Sequence, residues 1–326
     1  MNSKYILVTG GAGYIGSIIS NFLIKKKFKI LVLDNLSTGK KKMINSKIKF
    51  LKGDLLNYKI LKKKLYKYEI THIIHLASNI DVMESELSPN KYLEDNFNMT
   101  RNILKIAKIK KVSYFIFSST AAVYGEKNNT KVSEKDKLKP ESNYGLGKVF
   151  CEKIIKKECK LNKINFMILR FFNVVGADLD NLSGPIKRGS LFKNLSKSIL
   201  KKVSKINVYG KDFKTPDGSG LRDYIDVIDL ANIVYLVVKH FDTKKNFILN
   251  CSYSNPFSVL EIIKLFSKIG NKKINIKFLP KRKGEISKIF ADNNQLKKTY
   301  KNWKPLKNIN ESIVSSLKWE RFLTKS

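Results

Sequence analysis

The chain has 326 residues, 43% of them hydrophobic, and a formal net charge of +37. The length exceeds that of one ordinary domain and the apolar content is ample for a packed core, which argues against a disordered polymer. No run approaches the roughly 20 consecutive apolar residues that span a bilayer, so no membrane association is expected. The opening run Tyr5–Thr9 reads as a strand rather than a signal peptide. The charge alone points to nucleic acid or an anionic membrane. However, only six of the 64 basic residues are arginines, and the lysines are spread from end to end among Ile and Asn. Lysine then reads as a default surface residue, and no nucleic-acid partner is expected. Cys151, Cys159 and Cys251 form neither an even framework nor a metal-ligand spacing. They read as reduced structural thiols of a cytoplasmic protein that holds no metal.

In chain order, Tyr5–Thr9, Ile30–Leu33, Ile48–Leu51, His72–Ala77, Val112–Ser118 and Phe166–Arg170 read as strands, with amphipathic helical patterns between them. Short apolar runs alternating with helices predict an α/β fold with a doubly wound parallel Rossmann sheet. After Asn173 the rhythm breaks into a loop at 176–189, a helix, and a second loop at 210–220. A helix at Val227–Phe241 and a strand at Phe247–Asn250 then return to the main sheet. The expected organisation is a dinucleotide-binding domain over 1–175, rejoined by about 224–250. A smaller mixed α/β substrate domain over 176–223 and 251–326 completes it.

Gly10, Gly13 and Gly16 lie directly after the first strand and open a helix whose first positions are Tyr14 and Ile15. A dinucleotide pyrophosphate needs a tight turn, a bare backbone where it approaches, and a helix N-terminus facing it. Asp34 ends the second strand eighteen residues beyond Gly16, where a carboxylate accepts hydrogen bonds from the adenosine ribose and repels a 2′-phosphate. NAD rather than NADP is therefore the expected cofactor. Asp54, after the third strand, is a second acidic candidate near the adenine, or else an N-cap of the next helix.

Ser118, Ser119 and Thr120 follow the fifth strand, and Tyr144 and Lys148 stand four apart near the start of a long helix. Positions i and i+4 share a helical face. Free tyrosine titrates near 10, so it is a poor base at neutral pH unless nearby positive charge favours the phenolate. Lys148 and a cationic nicotinamide supply that charge, and Thr120 offers a hydroxyl to the substrate oxygen.

With these segments in place, the chain resembles the extended short-chain dehydrogenase/reductase superfamily, and most closely its UDP-glucose 4-epimerases. The resemblance runs through Val8–Gly16, Asp34–Ser37, Gly53–Leu55, His75–Ala77, Asp95–Asn96, Ser118–Gly125, Tyr144–Lys148 and Arg170–Asn173. Thr215–Ile225 and Arg282–Glu285 extend it through the second half. It implies an isomerase that inverts C4 of a UDP-hexose through a 4-keto sugar, with NAD as a bound prosthetic group, in a homodimer. Tyr144 is then the acid/base, Lys148 its tuner and a ribose ligand, and Thr120 the partner of the 4-oxygen. Cofactor contacts are implied for Gly10, Gly13, Tyr14, Ile15, Gly16, Asp34, Asn35, Asp54, Leu55, Ala77, Asn96, Ser118, Tyr144, Lys148 and Phe172. Substrate contacts are implied for Thr120, Asn173, Arg222, Tyr224, Arg282, Glu285 and Ile289, where the arginines offer forked donors to pyrophosphate.

The chain departs from the epimerase pattern at Asp226 (usually His), Glu285 (usually Asp), Met99 (commonly Gly) and the stretch Asn79–Met83. Related alternatives are a UDP-N-acetylhexosamine or UDP-uronate 4-epimerase, a 4,6-dehydratase, and a non-catalytic NAD-binding protein. The dehydratase reading lacks its acids, since Ala121 and Ala122 follow Thr120.

Overall fold

The computed structural model describes residues 4–80, 82–126, 131–178, 180, 183–186, 189–201, 204–240, 246–282 and 286–325. Its strands are β1 (Lys4–Thr9), β2 (Ile30–Asp34), β3 (Lys49–Lys52), β4 (Glu69–His75), β5 (Tyr114–Thr120), β6 (Asn165–Phe171), β7 (Asn173–Val175), β8 (Lys205–Tyr209), β9 (Leu221–Asp226), β10 (Phe247–Cys251), β11 (Pro256–Ser258), β12 (Asn275–Leu279) and β13 (Lys288–Ile289). Its helices are α1 (Tyr14–Lys25), α2 (Tyr58–Leu65), α3 (Val82–Leu87), α4 (Pro89–Ile109), α5 (Asn143–Leu161), α6 (Leu191–Leu200), α7 (Val227–Lys239), α8 (Val259–Ile269), α9 (Asn294–Thr299) and α10 (Ile309–Lys325). Packing divides the chain into two compact units. One comprises Met1–Gly125, Lys137–Phe171 and Ala231–Leu249; the other comprises Glu126–Asp136, Phe172–Leu230 and Asn250–Ser326.

The first unit is built on a seven-stranded sheet of order β10-β6-β5-β4-β1-β2-β3. The pairings from β6 across to β3 are parallel. Strand order reverses between β1 and β4, so the crevice beyond their carboxyl ends is the place where this architecture binds ligands. Leu7, Leu31, Leu33, Ile73, Phe115, Phe117 and Ile168 fill the core from the strands, with Ile103, Ile106 and Ala107 of α4 and Ile155 and Cys159 of α5 covering them. The i, i+3, i+4 spacing of the α4 residues is the apolar stripe that a sheet-packing helix requires.

Two strands differ from their expected spans by more than one residue at an end, β4 also starting at Glu69 rather than His72. β4 ends at His75 rather than Ala77, although Leu76 N–H still donates to Thr9 O at 3.1 Å. β5 starts at Tyr114 and runs on to Thr120, because Ser118, Ser119 and Thr120 keep pairing with Leu169, Arg170 and Phe171. The polar residues expected just past the strand are therefore held inside it.

In the second unit β9 is the centre of a small sheet. It pairs antiparallel with β11 and parallel with β13 and β7, while β8 and β12 form a separate parallel pair. Phe192, Leu195 and Ile199 of α6, Ile262, Ile263 and Phe266 of α8, and Ile313 and Leu317 of α10 form its apolar core. Ser258 and Glu261 make a reciprocal capping box at the start of α8.

Candidate active site

The glycine loop runs from the end of β1 into α1. Gly10 has φ +68, and a Cβ there would lie 2.7 Å from Ala77 N. A Cβ on Gly16 would lie 2.1 Å from Gly10 O, so neither position admits a side chain. Gly13 differs, since a Cβ there would meet only Gly10 O, at 3.4 Å. It is the N-cap of α1, has no side-chain cap, and is followed by no acidic residue in the first turn, where Tyr14 and Ile15 are half-buried. A helix N-terminus left this way is a site for an anion.

Asp34 closes the loop from β2. Its Oδ2 accepts from Ala12 N–H at 2.9 Å and its Oδ1 from Leu36 N–H at 2.7 Å. The side chain the sequence placed at a ribose thus also clamps the glycine turn, with lone pairs left over. Asn35 folds back to accept from Ser37 N–H. Asp54 is exposed and accepts from Leu56 N–H, while the N-cap of α2 is Asn57; the capping alternative for Asp54 is therefore corrected by three residues. Leu55 is buried in the core. Asn96 pins the turn after β4, accepting from Asn79 N–H at 2.7 Å and Ser78 Oγ at 3.0 Å and donating to Asn79 O.

At the carboxyl end of β5, Lys148 Nζ donates to Ser118 O at 3.0 Å and lies 4.9 Å from the Phe117 ring centre. Tyr144 lies beside the Thr120 hydroxyl, which acts on its phenol. Lys148 Nζ is 6.0 Å from the centre of the Tyr144 ring. Ser118 Oγ donates to His75 O. Burial brings the Lys148 ammonium down to about 8, opposed by Cys151 and Glu152. Burial also holds the Tyr144 phenol above its ordinary value, opposed by the Thr120 hydroxyl. Burial thus disfavours the phenolate, so Tyr144 needs nearby positive charge to act as a base near neutral pH.

The sequence reading missed the polar groups behind these residues. Glu152 accepts from Ser119 Oγ at 2.6 Å and from Arg170 Nε at 3.0 Å and Nη2 at 2.8 Å. Arg170 also donates to Tyr124 Oη at 2.9 Å. All four residues are buried. Removing one partner of such a pair typically costs ~3–5 kcal/mol. The available signals were Glu152 one turn beyond Lys148, and an arginine inside an apolar strand of an arginine-poor chain. His75 was missed as well. It bridges Thr9 and Thr100 at 2.8 and 3.2 Å, and burial followed by the charge of Lys148 depresses its pKa to about 3, so it stays neutral.

In the second unit, Asn173, Arg222, Tyr224 and Ile289 come together on the β7–β9–β13 sheet. Asn173 pairs with Tyr224 and Ile289 with Arg222. Arg222 donates from Nη1 to Leu221 O and Ser287 O and from Nη2 to Ile286 O at 2.6 Å. Tyr224 is only 2% exposed and packs on Phe192. Ile289 is 8% exposed. The Arg282 guanidinium sits over the Tyr209 ring, 3.5 Å from its centre. Phe172 is buried and its N–H donates to Cys251 O, whereas Asn173 is exposed. Glu285 lies outside the described residues. Asp226, the departure from the family pattern, accepts from Ser312 Oγ at 2.6 Å and Ile228 N–H at 2.8 Å, tying β9 to α10. The three cysteines are buried free thiols, and no cluster of metal-ligating side chains occurs among the described residues.

A profile of the NAD dependent epimerase/dehydratase family matches residues 6–252. The UDP-glucose 4-epimerase of Lactobacillus helveticus is 34% identical over 320 residues, covering 97% of each chain. The UDP-glucose 4-epimerase of Bifidobacterium longum, solved with NAD+ and UDP, superimposes with a TM-score of 0.92 at 31% identity over 98% of both chains. The UDP-Glc/GlcNAc 4-epimerase of Campylobacter jejuni does so at 0.84 and 32% identity, over 98% of this chain and 100% of that one. With its glycine loop, its Tyr144–Lys148 pair and this similarity along its length, the chain belongs to the NAD dependent epimerase/dehydratase family.

Proposed function

We propose that this protein is an NAD-dependent isomerase that interconverts UDP-glucose and UDP-galactose by inverting C4 through a transient 4-keto sugar. One observation carries the reading: Thr120, Tyr144 and Lys148 converge at the end of β5, on the same sheet edge as the bare helix N-terminus at Gly13. The residues fit the cofactor. Gly10, Gly13 and Gly16, with the Tyr14–Ile15 backbone, hold its pyrophosphate. Asp34 and Asn35 take the adenosine ribose, Asp54 and Leu55 border the adenine, and Ala77, Asn96, Ser118 and Phe172 line its remaining length. When bound, NAD would supply a hydride acceptor and donor for the sugar C4 and positive charge near Tyr144.

Tyr144 takes the proton of the 4-hydroxyl as the keto sugar forms and gives it back as the inverted alcohol re-forms. Thr120 orients the 4-oxygen. Lys148 favours the phenolate and binds the nicotinamide ribose. Asn173, Arg222 and Arg282 anchor the diphosphate while the sugar turns over, and Glu285 takes the uridine ribose. We further assign the chain to a cytoplasmic homodimer joined through α4.

The test is incubation of the purified protein with UDP-galactose and no added cofactor. UDP-glucose should accumulate to an equilibrium mixture; absence of product, or product only with added NADP, contradicts the reading.

A further inference from the structure

Three successive turns of α5 grip three successive residues of β5. Tyr144 lies beside the Thr120 side chain, Lys148 Nζ bonds Ser118 O at 3.0 Å, and Glu152 accepts from Ser119 Oγ at 2.6 Å. The helix positions are spaced i, i+4, i+8, so they form one vertical row. Two of these contacts belong to the proposed chemistry; the third touches neither substrate nor cofactor in that scheme. Behind it, Arg170 stands opposite Ser119 in the β5–β6 register and donates twice to Glu152. Tyr124 Oη takes a further donor of Arg170, and the guanidinium lies 4.8 Å from that ring centre.

We propose that Glu152 is a positioning residue: clamped by Arg170, it holds Ser119 and so fixes the register between α5 and the end of β5 that brings Thr120, Tyr144 and Lys148 together. The inference rests on the epimerase reading for its catalytic consequence, though not for its geometry. A carboxylate bonded twice by one guanidinium has little freedom to rotate, so the contact sets position as well as charge. Lys148 is faced by His75 from β4, by Cys151 and Glu152 from its own helix, and by the Tyr144 ring. His75 is neutral and the Cys151 thiol is pushed up by burial, which leaves Glu152 as the anion that supports the Lys148 charge. Without it, Arg170 and Lys148 become two buried cations lacking their shared counter-ion.

The experiment compares Glu152→Gln, Glu152→Asp and Ser119→Ala in the NAD-loaded protein. It reads kcat and KM for UDP-galactose from pH 6 to 9.5, and titrates the Lys148 ammonium by NMR of 13C-labelled lysine, assigned with Lys148→Met. Glu152→Gln should lower kcat at pH 7 by about tenfold or more with KM within about twofold, and Lys148 should lose its proton at lower pH than in the wild type. Ser119→Ala should lower kcat by about threefold with the Lys148 titration unmoved, and Glu152→Asp should fall between the two. Folded variants with wild-type kcat and an unmoved Lys148 would overturn the proposal. Should Glu152→Gln not fold, wild-type kcat in both other variants would overturn it equally. A shifted Lys148 in a protein whose wild type interconverts no UDP-sugar would support the positioning role while removing the assigned activity.

Discussion

The two units carry their candidate residues in different ways. In the first, the chemistry hangs on single elements: the glycines cap α1, Asp34 ends β2, and Tyr144 and Lys148 share one face of α5. In the second, Asn173, Arg222 and Ile289 belong to three strands far apart in sequence, and their positions depend on how β7, β9 and β13 pair. Residues set on one helix share a face by its spacing alone, whereas residues on separate strands come together only through the pairing of those strands. Arg222 shows this directly, since three of its hydrogen bonds go to main-chain carbonyls of β9 and the segment leading into β13.

The largest effect expected from breaking this contrast is at Tyr144. Tyr144→Phe keeps the ring but removes the proton acceptor, and should lower kcat by about 10²–10⁴-fold with NAD still bound, read by turnover and by cofactor released on denaturation. Near-normal turnover would remove Tyr144 from the reaction. Asp34→Asn comes next. It keeps a carbonyl oxygen for one of the two N–H groups of Ala12 and Leu36 but loses the charge toward the ribose, so NAD should weaken about 10–100-fold while UDP affinity changes little. Equal losses of both ligands, measured by calorimetry, would show a general unfolding of the edge instead.

A stability effect sharpens the second side of the comparison. Burial drives Asp226 up to about 6, opposed by its bonds to Ser312 and Ile228, with Asp229 raising it and Lys307 lowering it further. The folded state therefore disfavours the charged form that the unfolded chain carries freely above about pH 4. That penalty is full above pH 6, shrinks as pH falls, and vanishes below the unfolded value. Asp226→Asn should raise the melting temperature at pH 7.5, with an upper bound of ~3 kcal/mol, and the gain should disappear near pH 4. A gain that persists at pH 4, or a loss at pH 7.5, would show that the carboxylate is stabilising. The smallest effect concerns substrate choice. Ile289 neighbours Arg222 in the sheet, and we propose that it borders the sugar's 2-substituent, where a side chain smaller than tyrosine leaves space for an N-acetyl group. The wild type should show secondary activity on UDP-N-acetylglucosamine, and Ile289→Tyr should reduce it by about tenfold while sparing UDP-glucose. An equal loss on both substrates would show packing damage alone.

What the sequence disclosed follows the same division. Gly10, Gly16 and Asp34 were readable because each answers a local backbone demand, and Tyr144–Lys148 because helical spacing fixes one face. Glu152 and Arg170 were not, because their partnership needs α5, β5 and β6 assembled. Tyr224 stands two residues from Arg222 and so shares its face of β9, but its contact with Phe192 of α6 needs the second unit assembled and is not legible in the sequence. Asp226 stood out as a departure, but its partner Ser312 lies 86 residues away on α10 and could not be foreseen.

The central claim is that hydride leaves C4 and returns to the same carbon without meeting solvent. UDP-galactose deuterated at C4, incubated with the protein in ordinary water without added cofactor, tests it by NMR and mass spectrometry of the product. The account predicts UDP-glucose that keeps deuterium at C4. UDP-glucose bearing protium at that carbon, or no conversion, would contradict it.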